Sequence, residues 1–213
     1  KITPLYFKAL MDKWEQNPTK IPKHHMKLLL GGEKLTIDIL NWLEKNANHI
    51  QLSLYNHYGP TETTVGCISG RVEYLNEQTR NTFCINSIIG KPIYNTKAYV
   101  LTSDLIPLPI GAIGELYIGG VGLARGYLNQ PELTAERFIK NPFQTAEEKK
   151  KETNSRLYKT GDLVRWLPDG DLEFIGRNDF QVKIRGYRIE LGEIESVLEK
   201  HGDVSLAAVL VKE

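Results

Sequence analysis

In "MKLLL", residues 26–30, apolar positions interrupted only by a lysine run into the Gly31-Gly32 pair, the pattern of a short buried strand closed by a glycine turn. Leu35, Ile39, Leu40, Leu43 and Ala47 then recur at helical spacing up to about His49, and "IQLSLY", residues 50–55, returns to strand texture. Strand, helix, strand with a connection of this length predicts a parallel pair in an α/β layer, where ligands gather at the carboxyl ends of the strands. The Gly31-Gly32 and Gly59-Pro60 turns stand at those ends.

From about Ser87 to Tyr127 the pattern changes to short strands, "TKAYVL" and "GELYIGG", broken by Pro107, Pro109 and many glycines, which predicts a small β-barrel or sandwich. "FQTAEEKKKETNS", residues 143–155, is polar and without periodicity and reads as a mobile surface excursion. Strand signals follow at "RLYKT", "DLVRWL" and "DLEFIG", the last two joined by the turn "PDGD". In "ELGEIESVLEKHG", Ile194, Val197 and Leu198 share one helical face and Gly202 is the expected stop, after which "VSLAAVLV" reads as a further strand.

Composition removes several classes of function. With 27 Lys and Arg against 26 Asp and Glu in 213 residues, the net charge of +1 gives no long-range attraction to nucleic acid or to an anionic membrane, so any anion site must be local. The two cysteines, Cys67 and Cys84, show neither zinc-ligand spacing nor a disulfide framework, which fits a reducing compartment and the cytoplasm. The longest apolar runs are far shorter than a membrane-spanning helix, and no segment reads as a signal peptide. A start at Lys1 rather than Met, with an abrupt end at Glu213, suggests a piece of a longer polypeptide.

Candidate chemistry sits on the turns. "NHYGPTETTVG", residues 56–66, places hydroxyl residues and the single acid Glu62 on a Gly-Pro turn at a strand end; the plain alternative is a loop in which Thr61 caps a short helix beginning at Glu62. "GGVGLARG" invites comparison with a dinucleotide fingerprint, but its glycines give G-x-G-x-x-x-G and no long helix follows, so they read as structural, placed where strands bend or backbones approach closely. Asp162 follows Gly161 at a turn into a strand, where an ionised carboxylate can accept from a vicinal diol or else close an Asx turn. "QVKIRG" alternates, with Val182 and Ile184 inward and Gln181, Lys183 and Arg185 outward on a solvated face.

Four stretches, "NHYGPTETT", "GELYIGGVGLARGYLNQPELTAERF", "YKTGDLVRW" and "GRNDFQVKIRGYRIELGEIE", occur in this order and resemble the consecutive core motifs of adenylate-forming enzymes, most of all the amino-acid adenylation domains of nonribosomal peptide synthetases. The resemblance implies an α/β plus β fold: residues 1–86 as the α/β part of the large subdomain, 87–178 as its β-barrel-like part, and 179–213 as the opening of a small mobile C-terminal α+β subdomain. It implies a ligase that uses ATP and Mg²⁺ to activate an amino acid as an aminoacyl-adenylate and then loads the phosphopantetheine thiol of a peptidyl carrier protein, with neighbouring synthetase domains as further partners and neither nucleic acid nor membrane among them.

Residue by residue, the resemblance makes Glu62 the Mg²⁺ ligand and Thr61 a phosphate contact, puts Tyr58 against adenine and has Asn56 read its edge. Asp162 takes the ribose hydroxyls and Arg177 lies near ribose and phosphate, unless it is a surface arginine paired with Asp179. Phe174 comes close to the nucleotide or is ordinary core. Leu29, Gly31, His57, Val65 and Gly66 line the amino-acid pocket, with Leu5 less securely matched. Asp179 becomes the hinge, and Lys183 and Gly186 lie on the loop brought in for thiolation. The glycine-rich phosphate loop and the amine-binding aspartate of the family would precede Lys1, and its C-terminal catalytic lysine would follow Glu213, so the 213 residues alone are expected to be inactive. An acyl- or aryl-CoA ligase and a non-catalytic carrier-docking module are the alternatives.

Overall fold

The computed structural model describes residues 1–22, 24–46, 50, 52–72, 87–179, 181–184 and 187–211. The first helix, α1 (Pro4–Gln16), is not among the elements that the hydrophobic pattern predicts. Its signals are local: Thr3 Oγ1 accepts from Tyr6 N, Pro4 occupies the first turn where a missing N–H does no harm, and Phe7, Met11 and Trp14 fall on one face. The predicted parallel unit follows as β1 (Met26–Gly31), α2 (Ile37–Asn46) and β2 (Leu52–Tyr58), with Leu28 opposite Leu54 and Gly31 opposite His57. Ala47 and His49, expected near the end of α2, lie outside the described residues. Phe7, Trp14 and Trp42 join α1 to α2, with ring centroids 5.8–6.1 Å apart, and close the apolar cluster over Leu28, Leu30, Leu52 and Leu54. His25, in the loop just before β1, hydrogen-bonds Ser53 of β2 across this unit at 2.9 Å.

The β region continues the same sheet. β3 (Ile68–Val72) pairs antiparallel with β2 on one side and with β4 (Ile88–Pro92) on the other, and β4 pairs with β9 (Leu172–Arg177). Beyond β9 come β8 (Arg156–Trp166), β6 (Gly114–Gly120) and β5 (Thr96–Leu101), with β7 (Phe138–Lys140) also on β8. Among the described residues the ladder therefore runs unbroken from the α/β part into the β part, in the order β1-β2-β3-β4-β9-β8-β6-β5. The signals read separately at "RLYKT" and "DLVRWL" are one strand, β8, passing through Gly161. A short helix, α3 (Pro131–Arg137), precedes β7.

Two readings of the chain are corrected. Residues 143–155 are not featureless: α4 (Ala146–Lys150) forms there behind a capping box in which Thr145 and Glu148 satisfy each other's backbone N–H, and Lys97 holds Glu148 at 2.6 Å. Stacking of Tyr99 on Phe143, with centroids 5.0 Å apart, fixes the start of the segment. At the other end, α5 (Leu191–Leu198) stops short of Gly202, and residues 204–211 form no strand. Among the described residues they have no ladder partner; Ala207 N and Val209 N donate instead to Glu199 and Glu195 of the preceding helical segment. Between these, β10 (Val182–Ile184) and β11 (Tyr187–Ile189) make a separate hairpin. No helix among the described residues is long and apolar enough to cross a membrane.

Candidate active site

At the carboxyl end of β2 the chain makes a 3-10 turn, Thr61–Thr63, behind Gly59-Pro60. Pro60, not Thr61, occupies the cap position and no side chain caps the turn, so the capping alternative for Thr61 does not hold. Thr64 and Val65 follow with left-handed φ values of 58° and 69°, which swing the chain back so that Cys67 N donates to Tyr58 O at 2.9 Å and β3 begins. A β-branched residue in that region is strained, and such strain is concentrated at functional sites. Gly66 leaves the space in which the His57 ring sits; a Cβ there would overlap the imidazole. Burial, and then the charge of Lys1, lower the His57 pKa, and its Nδ1 is buried with no hydrogen-bond partner. Asn56 is buried and donates Nδ2 to Ile88 O at 2.7 Å, tying β2 to β4. Glu62 is also buried, and its Oε1 accepts from the Tyr127 hydroxyl at 2.6 Å.

A second carboxylate comes from β8. Asp162 is 5% exposed and stands opposite Arg177 in the β8/β9 register. Its Oδ2 accepts a short hydrogen bond from the Tyr58 hydroxyl and its Oδ1 accepts from Arg177 Nη1 at 2.6 Å. Burial, reinforced by the Asp162 charge, raises the Tyr58 phenol well above its usual range, so it stays a donor. Arg177 spends Nε and Nη2 on both oxygens of Asp179, at 2.6 Å each, and Asp179 Oδ1 accepts from Gln181 N. Burial pushes the Asp179 carboxyl up, but hydrogen bonds and charge from Arg177 outweigh it and hold the group below its ordinary value. With a side chain only 16% exposed, Arg177 is not the surface arginine of the alternative reading; it bridges two acids. Gly161, at φ 76°, makes this possible, because a Cβ would lie 2.8 Å from both Arg177 Nη2 and Asp179 Oδ2.

The two carboxylate-bearing segments flank a cavity of about 350 Å³. Gly31, Thr61, Val65, Asp162 and Arg177 face it, which brings together residues predicted from separate motifs. Glu62, Asn56, Tyr58 and Phe174 are not on its wall. Phe174 is half-buried and tilted against Tyr58, with centroids 6.4 Å apart, and Leu29 is half-buried in β1 with its carbonyl accepting from Ile2 N. Leu5 is exposed on α1, its N–H donating to Glu33. Lys183 lies in β10, and Gly186 lies outside the described residues.

Gln181 corrects the expected solvated face: it is 5% exposed, faces the cavity and donates a short hydrogen bond to Glu190. Tyr127 and Glu115 were not anticipated. Glu115 Oε1 accepts from Gly161 N at 3.0 Å and so sets the strand next to Asp162. Tyr127 ends the stretch "GLARGY", in which the glycines are the sequence's strongest signal and a single aromatic carries no periodic pattern of its own.

Residues 2–128 match the model of the AMP-binding enzyme family. The chain belongs to the AMP-binding enzyme family. It is 49% identical over 186 residues, 87% of its length, to malpinin synthetase of Mortierella alpina. It is 44% identical over 211 residues, 99% of its length, to a dimodular nonribosomal peptide synthase of Bacillus subtilis (strain 168). The chain spans 2% and 8% of the lengths of those relatives. Among solved structures it is similar to PA1221, an NRPS protein containing adenylation and PCP domains, with a TM-score of 0.76 and 30% identity over 99% of this chain and 39% of that one. The resemblance to nonribosomal peptide synthetase adenylation domains is upheld, as is the fold it implied. The AMP-binding match contains the Glu62 turn and Tyr127, and the longer similarity to the Bacillus subtilis synthase extends through Asp162, Arg177 and Asp179.

Proposed function

We propose that this chain forms the ribose and metal side of the ATP site in an adenylation domain that activates an amino acid and transfers it to the phosphopantetheine thiol of a carrier protein. The observation that carries the reading is Asp162: a buried carboxylate on the cavity wall, oriented by Tyr58 and Arg177. A carboxylate so held has further acceptor capacity for a vicinal diol. Thr61, Gly31 and Val65 face the same cavity; in this reading Thr61 is the phosphate contact, Tyr58, Asn56 and Phe174 serve the adenine, and Leu29, Gly31, His57, Val65 and Gly66 serve the amino-acid side chain. In the reaction the substrate carboxylate attacks the α-phosphorus and pyrophosphate leaves; the thiol then displaces AMP from the acyl group.

Among the described residues no group of three or more His, Cys, Asp and Glu could hold a metal. Mg²⁺ needs no such group, since it takes one or two protein carboxylates together with phosphate oxygens and water, and the buried carboxylate of Glu62 is a donor of that kind. Glu62 would hold it, and the ion supplies charge neutralisation on the phosphates when bound. Asp179, between β9 and β10, serves as the hinge at which residues 179–213 turn between adenylation and thiolation, with Lys183 and Gly186 arriving in the second arrangement. Residues 1–86 and 87–178 are parts of the preceding large subdomain, and the cytoplasm is its setting. Cation and nucleotide, not carrier docking alone, account for a buried acid on the cavity wall, Asp162, and a second, Glu62, on the turn next to the lining residue Thr61.

The test is Asp162→Asn in the complete adenylation domain, with pyrophosphate exchange measured for ATP and for 2′,3′-dideoxy-ATP. Hydrogen bonds to a charged acceptor predict roughly a 10- to 100-fold rise in KM for ATP and a much smaller one for the dideoxy nucleotide. Equal losses for both would sink the ribose assignment, and a screen of amino acids against aryl acids in the same assay separates the synthetase reading from a CoA ligase.

A further inference from the structure

The glycine-rich stretch 119–126 lies against the turn that carries Glu62. Ala124 N donates to Glu62 O at 2.8 Å, Thr64 Oγ1 donates to Gly122 O at 2.7 Å, and the Tyr127 hydroxyl reaches Glu62 Oε1. The stretch is braced from elsewhere as well. Arg156 donates Nη1 and Nη2 to the carbonyls of Arg125 and Ala124, at 2.9 Å each. Tyr127 N donates to Thr134 Oγ1 of α3 at 2.9 Å, and Gly126, at φ 149°, gives Thr134 room that a Cβ would occupy. The Tyr127 ring stands edge-on to Phe138, with centroids 5.8 Å apart. Backbone and ring of Tyr127 are thus fixed independently of the contact its hydroxyl makes.

We propose that Tyr127 is a positioning residue for Glu62: its hydroxyl fixes one carboxylate oxygen and so sets the direction in which the other meets the divalent cation bound with ATP. This rests on the reading of Glu62 as the cation's carboxylate. A phenol suits the task because it orients the anion without adding a positive charge that would compete with the cation, as a guanidinium would. The glycine cluster gains a role in the same scheme: small residues let the loop approach the turn closely enough for backbone and phenol to grip it together.

The test compares wild type, Tyr127→Phe and Glu62→Gln in the full-length protein saturated with α,β-methylene-ATP, with Mn²⁺ binding read by water-proton relaxation. Tyr127→Phe is expected to weaken Mn²⁺ binding about tenfold, the effect of losing one hydrogen bond to a charged group, with the amino-acid KM unchanged and with Glu62→Gln weaker still. Weak binding by Glu62→Gln beside wild-type binding by Tyr127→Phe overturns the proposal and leaves the Glu62 reading standing. No loss in either variant removes the Glu62 reading and the proposal with it. Tighter binding by Tyr127→Phe means that the hydroxyl restrains the carboxylate instead of presenting it, and also overturns the proposal. Thermal melts check folding; Thr134→Val, which frees the Tyr127 backbone and keeps its hydroxyl, is expected to weaken Mn²⁺ binding by a smaller factor and carries the test should Tyr127→Phe not fold.

Discussion

At the turn after β2, Thr64 and Val65 take left-handed φ values of 58° and 69°, whereas in the middle of β8 the left-handed position, at 76°, belongs to Gly161. Each lies within three residues of a buried acid, Glu62 in the first case and Asp162 in the second. The strand solution is relaxed in its backbone and rich in charge: Asp162 has Arg177 across the ladder, and Arg177 clamps Asp179 as well. The turn solution is strained in its backbone, and Tyr127 grips its acid with a neutral phenol. The difference separates two ways of preorganising a carboxylate. A guanidinium fixes an acid and compensates its charge, which suits a neutral diol. A phenol fixes an acid and leaves its charge in place, which suits a cation.

The comparison breaks most visibly at Arg177. Replacing it with Met leaves Asp162 and Asp179 without the cation they share, and removing one partner of a buried pair predicts a loss of about 3–5 kcal/mol in unfolding free energy, measured by urea denaturation. A loss below about 1 kcal/mol would place the pair with exposed ion pairs and remove the contrast with the turn.

A middle-sized effect is expected at Cys67, which follows the turn and feels both regions. Burial, with the Asp162 charge adding to it, pushes the thiol up from its ordinary 9.0 to about 11. The folded state then keeps a proton that the unfolded chain releases, so this contribution is fully present below pH 9 and is lost as pH rises toward 11. The loss should reach about 2–3 kcal/mol. Buried tyrosines act in the same direction from about pH 10 upward, so the measure is the difference between wild type and Cys67→Ala in denaturation midpoints from pH 8 to 11; parallel curves would contradict it. The smallest effect has the opposite sign. Val65→Gly should stabilise the fold by about 1 kcal/mol, because glycine adopts the left-handed conformation without the steric penalty a β-branched residue meets. A destabilised variant would mean that Val65 contributes more by packing than its backbone loses by strain.

Much of the site was legible because its residue types stand on turns. Gly-Pro-Thr-Glu at a strand end and Gly-Asp ahead of an apolar run mark places where a backbone reverses or bends and a side chain is left facing open space. The capping box at Thr145 and the Thr3-Pro4 helix start are equally local signals, but hydrophobic periodicity does not mark the short polar helix that the first begins, and the second stands apart from the strand-helix-strand pattern that starts at Met26. Gln181 misled for a different reason: alternation predicts which side of a strand a residue takes, and a glutamine on the polar side reads as solvated until Glu190 is found beside it.

By itself the sequence determined the strand-helix-strand order of β1, α2 and β2 with their parallel pairing, the absence of strong net charge and the acids that stand at the turns, because periodicity and turn chemistry act over a few neighbouring residues. Tertiary structure alone decided that Tyr127 grips Glu62 across 65 positions, that Tyr58 meets Asp162 across 104, and that β4 joins two differently patterned regions into one sheet. Such contacts depend on ladder register and on the packing of distant segments, and a pattern confined to neighbouring residues carries neither.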